Sequence, residues 1–412
     1  MATIAARKPV SSALVLLLGA AIFLNYVDRG AIGIAAPLMK SDLGLSEEAY
    51  GVVFSAFFWI YAPVQLFAGW LCDRFSVYKL MAIGILIWAG STFLMGFAGG
   101  FVSLLVLRIM LGVGESISFP GSSKIIARHV PPERRGVANA AVAAGIALGP
   151  AAGTLAGGLI LRSWGWQTIF LVFGVVTLIW LLPWRQTVRA LPMTGHADEG
   201  PRVPLALLLR KWPLWSMSIV HALGNYCFYF LLAWLPLFLT KSRGFSIGEM
   251  TMLATLGYAV QGACALGYGH FSDWWTRSGR SEAACRRWMM VASQLLAAGA
   301  ILGLAFAHSA LAIGILLCLA GAASASLSLN LYAVAQMFAG ARASGTWVGV
   351  QNAIGNLSGI IGPIVTGIVV QRAGYNSAFV LTAAIAAIGA LWWAIGVPKI
   401  EQVDLDEEHR AN

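Results

Sequence analysis

The sequence predicts an all-α membrane protein with twelve transmembrane helices arranged as two six-helix pseudo-repeats. Of its 412 residues, 59% are hydrophobic and only 11% are charged, and the mean hydropathy is +0.77. The apolar runs are continuous over about 20 residues, which is the length an α-helix needs to cross a bilayer, whereas barrel strands would alternate over about 10. Short sequence patterns also recur at matching places in the two halves of the chain.

The apolar runs give twelve spans. The first run follows Arg7 and Lys8, as a secretory signal would, but it is too long and lacks a small-residue cleavage pattern, so we expect a retained helix. The predicted spans are residues 13–37, 50–71, 80–99, 101–122, 137–161, 167–184, 213–238, 250–272, 288–307, 310–336, 343–370 and 376–397.

The longest polar connection divides these spans six and six. It predicts an N-terminal half at 1–184, a cytoplasmic linker at 185–212 and a C-terminal half with a short cytoplasmic tail at 213–412. Gly69 and Asp73, four residues apart after span two, are matched by Gly269 and Asp273 after span eight. Parallel repeats of this kind place a site near the midplane between the halves.

A second pattern supports the repeat and the charges give the orientation. Gly165-Trp166 precedes span six in the same way as Gly374-Tyr375 precedes span twelve.

The basic residues are distributed unequally between the two sets of loops. Of the 27 basic residues, two lie mid-span, five lie in one set of loops and the other 20 lie in the loops on the side of the termini. By the positive-inside rule, both termini are predicted to be cytoplasmic.

Four charged residues lie deep in apolar spans: Asp28 and Arg29 in span one, and Arg108 and Glu115 in span four. Charges inside a membrane are costly and are read first as functional. Arg108 and Glu115 are seven residues apart and so share one helix face, whereas Asp28 and Arg29 diverge by about 100°. The alternative is a fixed structural ion-pair network.

These arginines and carboxylates are residue types that can bind an anion and carry a proton. A buried carboxylate gains or loses a proton when its solvation or its distance from an arginine changes, which makes Asp28 and Glu115 candidates for proton coupling. The planar fork of Arg29 suits a substrate carboxylate. Tyr26 lies three residues from Arg29 on the same helix face, and Tyr61 lies mid-span in the adjoining helix. Span ten carries a polar stripe that includes Asn330, Tyr332 and Gln336, only part of which can line a cavity.

Signatures of other classes are missing. No metalloprotease, hydrolase or phosphate-binding motif is found, so the sequence predicts neither an enzyme nor an ATP-driven pump. The five cysteines have no close pair and no metal-binding spacing. We expect no cofactor, no metal and no nucleic-acid partner.

Three motifs resemble the major facilitator superfamily, and within it the anion:cation symporter family. They are Asn25-Tyr26-Val27-Asp28-Arg29, the loop Gly69-x-x-x-Asp73-Arg74, and Arg108-x-x-x-Gly112-x-x-Glu115-x-x-x-x-Pro120. The resemblance covers the whole chain in topology and is strongest in the first four spans. It implies the major facilitator fold and a multi-pass protein of the bacterial inner membrane.

The resemblance also implies residue roles. Asp28 and Glu115 match protonatable carboxylates, Arg29 a substrate-carboxylate ligand, and Arg108 the partner of Glu115. Four residues match positions in the family's substrate cavity: Tyr26, Tyr61, Tyr332 and Asn352. Four others match the loop that gates the cytoplasmic side: Gly69, Asp73, Arg74 and Asp273. We add Gln336 and Arg108 to the substrate-binding set.

Two departures from the family pattern bear on the substrate. Ser76 stands where the loop motif has glycine, with the basic residue delayed to Lys79. In span five, sugar-acid carriers have a cavity glutamine where this chain reads Gly145-Ile146-Ala147. The absence of this glutamine argues against a polyhydroxylated substrate and favours a smaller or more apolar carboxylate.

The sequence therefore predicts a monomeric secondary transporter that imports an organic carboxylate anion, such as a sugar acid or a small hydroxy or aromatic acid, by proton symport with alternating access. Its partners are the anion, protons and membrane lipid. An organic-anion exchanger or exporter and a non-transporting membrane sensor remain alternatives.

Overall fold

A computed structural model describes residues 12–129, 135–191 and 204–405. Its α-helices are α1 Ser12–Asp42, α2 Glu47–Arg74, α3 Val77–Met95, α4 Phe101–Glu115, α5 Ser118–His129, α6 Arg135–Ile179, α7 Leu181–Ala190, α8 Leu205–Leu209, α9 Trp212–Leu237, α10 Ile247–Arg277, α11 Glu282–Phe306, α12 Ala310–Gly355 and α13 Leu357–Leu391. Turns of π-helix at Phe238–Ser242 and Trp392–Gly396 extend α9 and α13.

The described helices account for the twelve predicted spans. Within the described ranges, nine stretches are long and apolar enough to cross a membrane. Two of them, Ala144–Ala190 and Thr346–Gly396, are too long for one crossing and bend at Gly165 and at Gly374. Each therefore supplies two spans, and α2 supplies the twelfth. The predicted all-α membrane fold is confirmed.

Helix pairing follows the same scheme in the two sets of six spans. In the first set α1 packs on α6, α2 on α4, and α3 on α4 and α6. In the second set α9 packs on α12 and α13, α10 on α12, and α11 on α12 and α13. The two sets meet through α2 with α13, α6 with α10, and α1 with α9. Residues 192–203, in the predicted linker, lie outside the described residues.

Two single-residue corners replace the loops expected between spans five and six and between eleven and twelve. Gly165 has φ 81° and ψ 172°, and Gly374 has φ 80° and ψ 171°. This backbone region is open almost only to glycine. The residue after each corner then donates a hydrogen bond to an acidic group beside the α1–α2 hairpin: Trp166 Nε1 to Asp42 Oδ2 at 2.8 Å, and Tyr375 Oη to Glu47 Oε1 at 3.1 Å.

The two sets of spans are tightly closed at the end of the bundle that carries this hairpin, which we call the Asp42 end. Gly33 lies against the Leu232 carbonyl and Gly51 against the Pro363 carbonyl, so closely that a β-carbon on either glycine would collide with backbone. The Tyr50 hydroxyl donates to the Ala233 carbonyl at 3.0 Å. The opposite end, where α2 terminates at Arg74, is called the Arg74 end.

The predicted gating residues lie at the Arg74 end. Gly69, Asp73 and Arg74 belong to the last turns of α2, and Asp273 to the penultimate turn of α10, so they are helical and do not form a loop. Both helices extend beyond their predicted spans and end only at their C-caps, Phe75 and Ser278. The side chains of Asp73, Arg74 and Asp273 lie outside the described part of the structure.

Candidate functional site

Arg29 lies at the middle of α1 and reaches across to the end of α4. Its side chain is only 7% exposed, and its Nε donates to Glu115 Oε2 at 3.1 Å and to Asn25 Oδ1 at 3.0 Å. Glu115 is completely buried. A buried carboxylate is tolerated only when it is paired or protonated, so this contact makes Arg29 the ion-pair partner of Glu115.

The ion pair is only half formed. A guanidinium can offer a carboxylate two parallel hydrogen bonds, yet here one bond is made. Arg29 Nη2, Glu115 Oε1 and Asn25 Nδ2 are all buried and have no hydrogen-bond partner among the described residues. Unsatisfied buried polar atoms are costly, and a cluster of them in a folded protein calls for an explanation such as a ligand.

Aromatic rings surround the guanidinium of Arg29. Its Cζ lies 5.0 Å from the ring centre of Tyr26, 5.1 Å from Phe57 and 4.6 Å from Tyr61. Phe57 and Tyr61, one turn apart on α2, are stacked with centroids 4.8 Å apart. Such cation–π contacts stabilise a desolvated guanidinium through its faces and leave its edges for hydrogen bonds.

Asp28 lies on another face of α1, as its position next to Arg29 predicted. It is 3% exposed and accepts hydrogen bonds from Trp88 Nε1 at 2.5 Å and Thr92 Oγ1 at 3.4 Å, both on α3. Its Oδ1 has no partner in the described structure. The two predicted proton-coupling carboxylates are therefore both buried but occupy separate environments.

Arg108 is not the partner of Glu115, which corrects the pairing implied by the family resemblance. It is 3% exposed and donates to α2 carbonyl oxygens, from Nη2 to Phe54 O at 2.9 Å and from Nε to Val53 O at 3.4 Å. Gly112, one turn further along α4, lies directly against the Phe57 carbonyl, so the α2 backbone comes within reach of Arg108. Glu115 instead pairs with α1.

The second set of spans supplies a wall of uncharged polar groups. Tyr332 Oη donates to Asn352 Oδ1 at 3.1 Å, and Asn352 Nδ2 donates across to Gln65 Oε1 on α2 at 2.7 Å. Tyr229 Oη donates to Asn356 Oδ1 at 2.6 Å. These groups satisfy one another, and the link between Gln65 and Asn352 joins the two sets of spans at mid-bundle.

The two walls face each other. Tyr229 and Tyr332 both lie close enough to Arg29 to interact with it electrostatically. Tyr229 also packs its ring against Phe58 of α2, with centroids 4.5 Å apart. Gln336, about one turn beyond Tyr332, is exposed, whereas the other side chains of this wall are buried or half-buried.

The structure thus brings together six of the nine residues predicted for substrate binding and proton coupling: Arg29, Glu115, Tyr26, Tyr61, Tyr332 and Asn352. It adds four that were not predicted, Asn25, Gln65, Tyr229 and Asn356. Uncharged polar residues occur in many transmembrane spans, so the sequence alone offered no signal that separated these four from packing residues. The arrangement can bind one carboxylate at Arg29 and hold one proton at Glu115.

Comparison with known sequences decides the family. The profile of the Major Facilitator Superfamily matches residues 18–283 and 279–410, which together cover nearly the whole chain. The chain belongs to the major facilitator superfamily. Among solved structures of the superfamily's fold, a bacterial homolog of the human lysosomal transporter Spinster, in an inward-facing and occupied conformation, superposes with a TM-score of 0.80 at 21% identity, covering 95% of this chain and 98% of that one.

The curated relatives within the superfamily carry anions. A hexuronate transporter of Bacillus subtilis is 27% identical, with 92% of each chain covered. A probable sulfoacetate transporter of Cupriavidus necator is 29% identical, with 90% of each covered. A probable galactarate/D-glucarate transporter of Bacillus subtilis is 28% identical, covering 94% of this chain and 92% of the relative. The relatives are organic-anion transporters of the anion:cation symporter type.

Proposed function

We propose that this protein is a secondary active transporter that moves an organic carboxylate anion together with protons by alternating access. The observation that carries the proposal is the half-formed ion pair, in which Arg29 Nη2 and Glu115 Oε1 are buried side chain atoms without described partners. The anion-carrying relatives support an anionic substrate.

The half-formed pair links the anion to the proton. A substrate carboxylate that binds the Nε–Nη2 edge of Arg29 competes with Glu115 for the same donors. Glu115, once displaced, is an unpaired carboxylate in a completely buried place, and it avoids that cost by taking up a proton. Release of the anion restores the ion pair and expels the proton. Asp28, in its separate niche against α3, is proposed as a second proton site.

The other predicted residues have supporting roles in this scheme. Tyr26 and Tyr61 hold the guanidinium, Tyr332 and Asn352 contact the substrate from the facing wall, and Gln336 lines its route. Arg108, bound to α2 carbonyls, positions α2 beside α4. Gly69, Asp73, Arg74 and Asp273 are proposed to form the gate at the Arg74 end.

The proposed motion rocks the half at 1–184 against the half at 213–412, with 185–212 as the linker. We place the protein in a bacterial inner membrane as a monomer, with both termini cytoplasmic. The closed Asp42 end then faces the periplasm, and the Arg74 end faces the cytoplasm. The orientation is tested by membrane-impermeant thiol labelling of intact cells, on a background without reactive native cysteines. We expect labelling of Ser41→Cys and no labelling of Arg185→Cys. Labelling of Arg185→Cys alone would mean that the orientation is the reverse.

Transport is tested with purified protein in proteoliposomes. A panel of labelled organic anions is presented under an inward proton gradient, with and without a protonophore, and protein-free liposomes give the leak. We expect concentrative uptake of at least one anion that the protonophore abolishes. Uptake that needs an internal anion and ignores the proton gradient would instead establish an exchanger, and failure of every anion to move would overturn anion transport.

A further inference from the structure

We propose that the substrate is an aromatic monocarboxylate, with one negative charge and a planar ring body that carries few hydroxyl groups. This inference rests on the proposed function and narrows it. It sets the chain apart from the relatives whose named substrates are sulfoacetate, galactarate and D-glucarate, each of which carries two acidic groups.

The site offers one cation to a ligand. Among the side chains whose burial is described, the buried charged residues are Asp28, Arg29, Lys40, Arg108 and Glu115. Lys40 lies at the Asp42 end, where it is bound to Glu47. Arg108 is directed at α2 carbonyl oxygens. Of these three buried cations, only Arg29 has a donor atom, Nη2, that is buried and unsatisfied in the described structure.

A second acidic group on the substrate would therefore lack a partner. The wall opposite Arg29 is built from the hydroxyls and amides of Tyr229, Tyr332, Asn352 and Asn356, none of which is charged. A second carboxylate placed there would be desolvated and would have no cation to pair with. A buried charge without a partner is strongly unfavourable, so the site selects against dianions.

The same wall selects against a body with many hydroxyl groups. The side chains of Tyr332, Asn352 and Gln65 form a chain of hydrogen bonds, and Tyr229 is bound to Asn356. A polyhydroxylated ligand would have to break these bonds before it could make its own. In such an exchange the net gain from each hydrogen bond is small.

Aromatic surface, in contrast, is abundant around the carboxylate position. Six rings, those of Tyr26, Phe57, Phe58, Tyr61, Tyr229 and Tyr332, lie around Arg29 or join the two walls beside it. Tyr26 and Tyr332 are partly exposed and so present free ring surface. A planar aromatic body fits such an enclosure through offset or edge-to-face contacts.

Four probes separate charge from hydroxylation: benzoate, phthalate, D-glucuronate and D-glucarate. Isothermal titration of the detergent-solubilised protein at one pH and ionic strength gives the four dissociation constants. We expect benzoate to bind most tightly, with phthalate at least about tenfold weaker and both sugar acids weaker than benzoate. Tighter binding of phthalate or D-glucarate would overturn the single-charge inference, and binding of D-glucuronate equal to or tighter than benzoate would overturn the aromatic body.

A charge-gain variant tests the same idea from the facing wall. Asn352→Lys adds a cation to the uncharged wall and should raise the affinity for phthalate relative to that for benzoate. A cooperative thermal transition serves as the control that the variant is folded. An unchanged ratio of the two affinities in the folded variant would contradict the inference. Should this variant fail to fold, the wild-type series decides alone. If dianions bind best and are also accumulated with protons, only this inference fails, whereas absence of proton-driven uptake for every anion is a failure of the proposed function.

Discussion

The two walls of the site differ in kind. The wall formed by α1, α2 and α4 holds the charges and also the unsatisfied atoms Arg29 Nη2, Glu115 Oε1 and Asn25 Nδ2. The wall formed by Tyr229, Tyr332, Asn352 and Asn356 is uncharged, and these side chains are bonded to each other or to Gln65. In the proposed function, the first wall performs the proton coupling, and the second wall selects the ligand and closes on it.

The largest effect should come from the charged wall. Glu115→Gln mimics a permanently protonated carboxyl, so the protein can bind and move its substrate but cannot return empty by releasing that proton. Concentrative uptake under a proton gradient should be abolished, while counterflow of labelled against unlabelled substrate survives in the same proteoliposomes.

A purely structural Glu115 would give another result. Loss of its charge would leave Arg29 buried and unpaired, at a cost of about 3–5 kcal/mol, and counterflow would fall together with thermal stability. Undiminished accumulation by Glu115→Gln would contradict both accounts and would assign the coupling to Asp28 alone.

Arg29→Lys should have the next largest effect. The variant keeps the positive charge but loses the fork that serves a carboxylate with two bonds. Loss of one hydrogen bond to a charged group corresponds to about 1.5–3 kcal/mol, so substrate affinity should fall roughly 10- to 100-fold. Arg185→Lys, an exposed position on α7, is the matched control. Equal dissociation constants for the two variants, measured by titration, would make Arg29 a structural residue.

Gly51→Ala tests closure and not chemistry. A β-carbon at Gly51 would collide with the Pro363 carbonyl across the contact of α2 with α13, and overpacking of this kind costs about 1–3 kcal/mol. The variant should shift the population away from the state that is closed at the Asp42 end. Ser41 lies too far out at the Asp42 end for the labelling of Ser41→Cys to report this opening. The readout is therefore the distance between spin labels on α2 and α13.

Gly299→Ala is the control for that substitution, because a β-carbon at Gly299 meets open space. It should leave the distance distribution unchanged. A Gly51→Ala distribution that matches the control would mean that the Asp42 end tolerates the added methyl group without opening.

The smallest effect should come from the uncharged wall. Asn352→Ala removes the acceptor of Tyr332 and the donor to Gln65. These bonds hold the facing wall in place, and its loss of order should weaken substrate binding by roughly 5- to 30-fold, the equivalent of one to two neutral hydrogen bonds of about 1 kcal/mol net each, while the proton dependence of uptake is retained. A change in the number of protons per anion, obtained from uptake at several imposed gradients, would contradict the division between the walls.

The charged wall was largely accessible from the sequence, since charged residues are rare in apolar spans and Asp28, Arg29, Arg108 and Glu115 were recognisable on that ground. Their pairing was not. Arg108 and Glu115 share one face of α4, yet the close approach of Gly112 to α2 gives Arg108 carbonyl partners, and Glu115 meets α1 instead.

The uncharged wall was only partly accessible. Tyr332 and Asn352 were predicted, but the hydrogen bond from Asn352 to Gln65 joins residues 287 positions apart and depends on how closely α2 and α12 approach. Gln336 was predicted from a polar stripe that a helix spreads over several faces, and its side chain proved to be exposed. Side chain periodicity identifies a face of a helix, not the neighbour that covers it.

The corners at Gly165 and Gly374 also decide where this protein can be modified. Because the chain reverses on one residue at each place, no aqueous segment exists there into which an epitope, a fluorescent domain or a protease site can be inserted without separating two helices. Among the described connections at the Asp42 end, those after α1, α3, α9 and α11 have room for such insertions. A reporter for the exposure of that face belongs in one of these four loops.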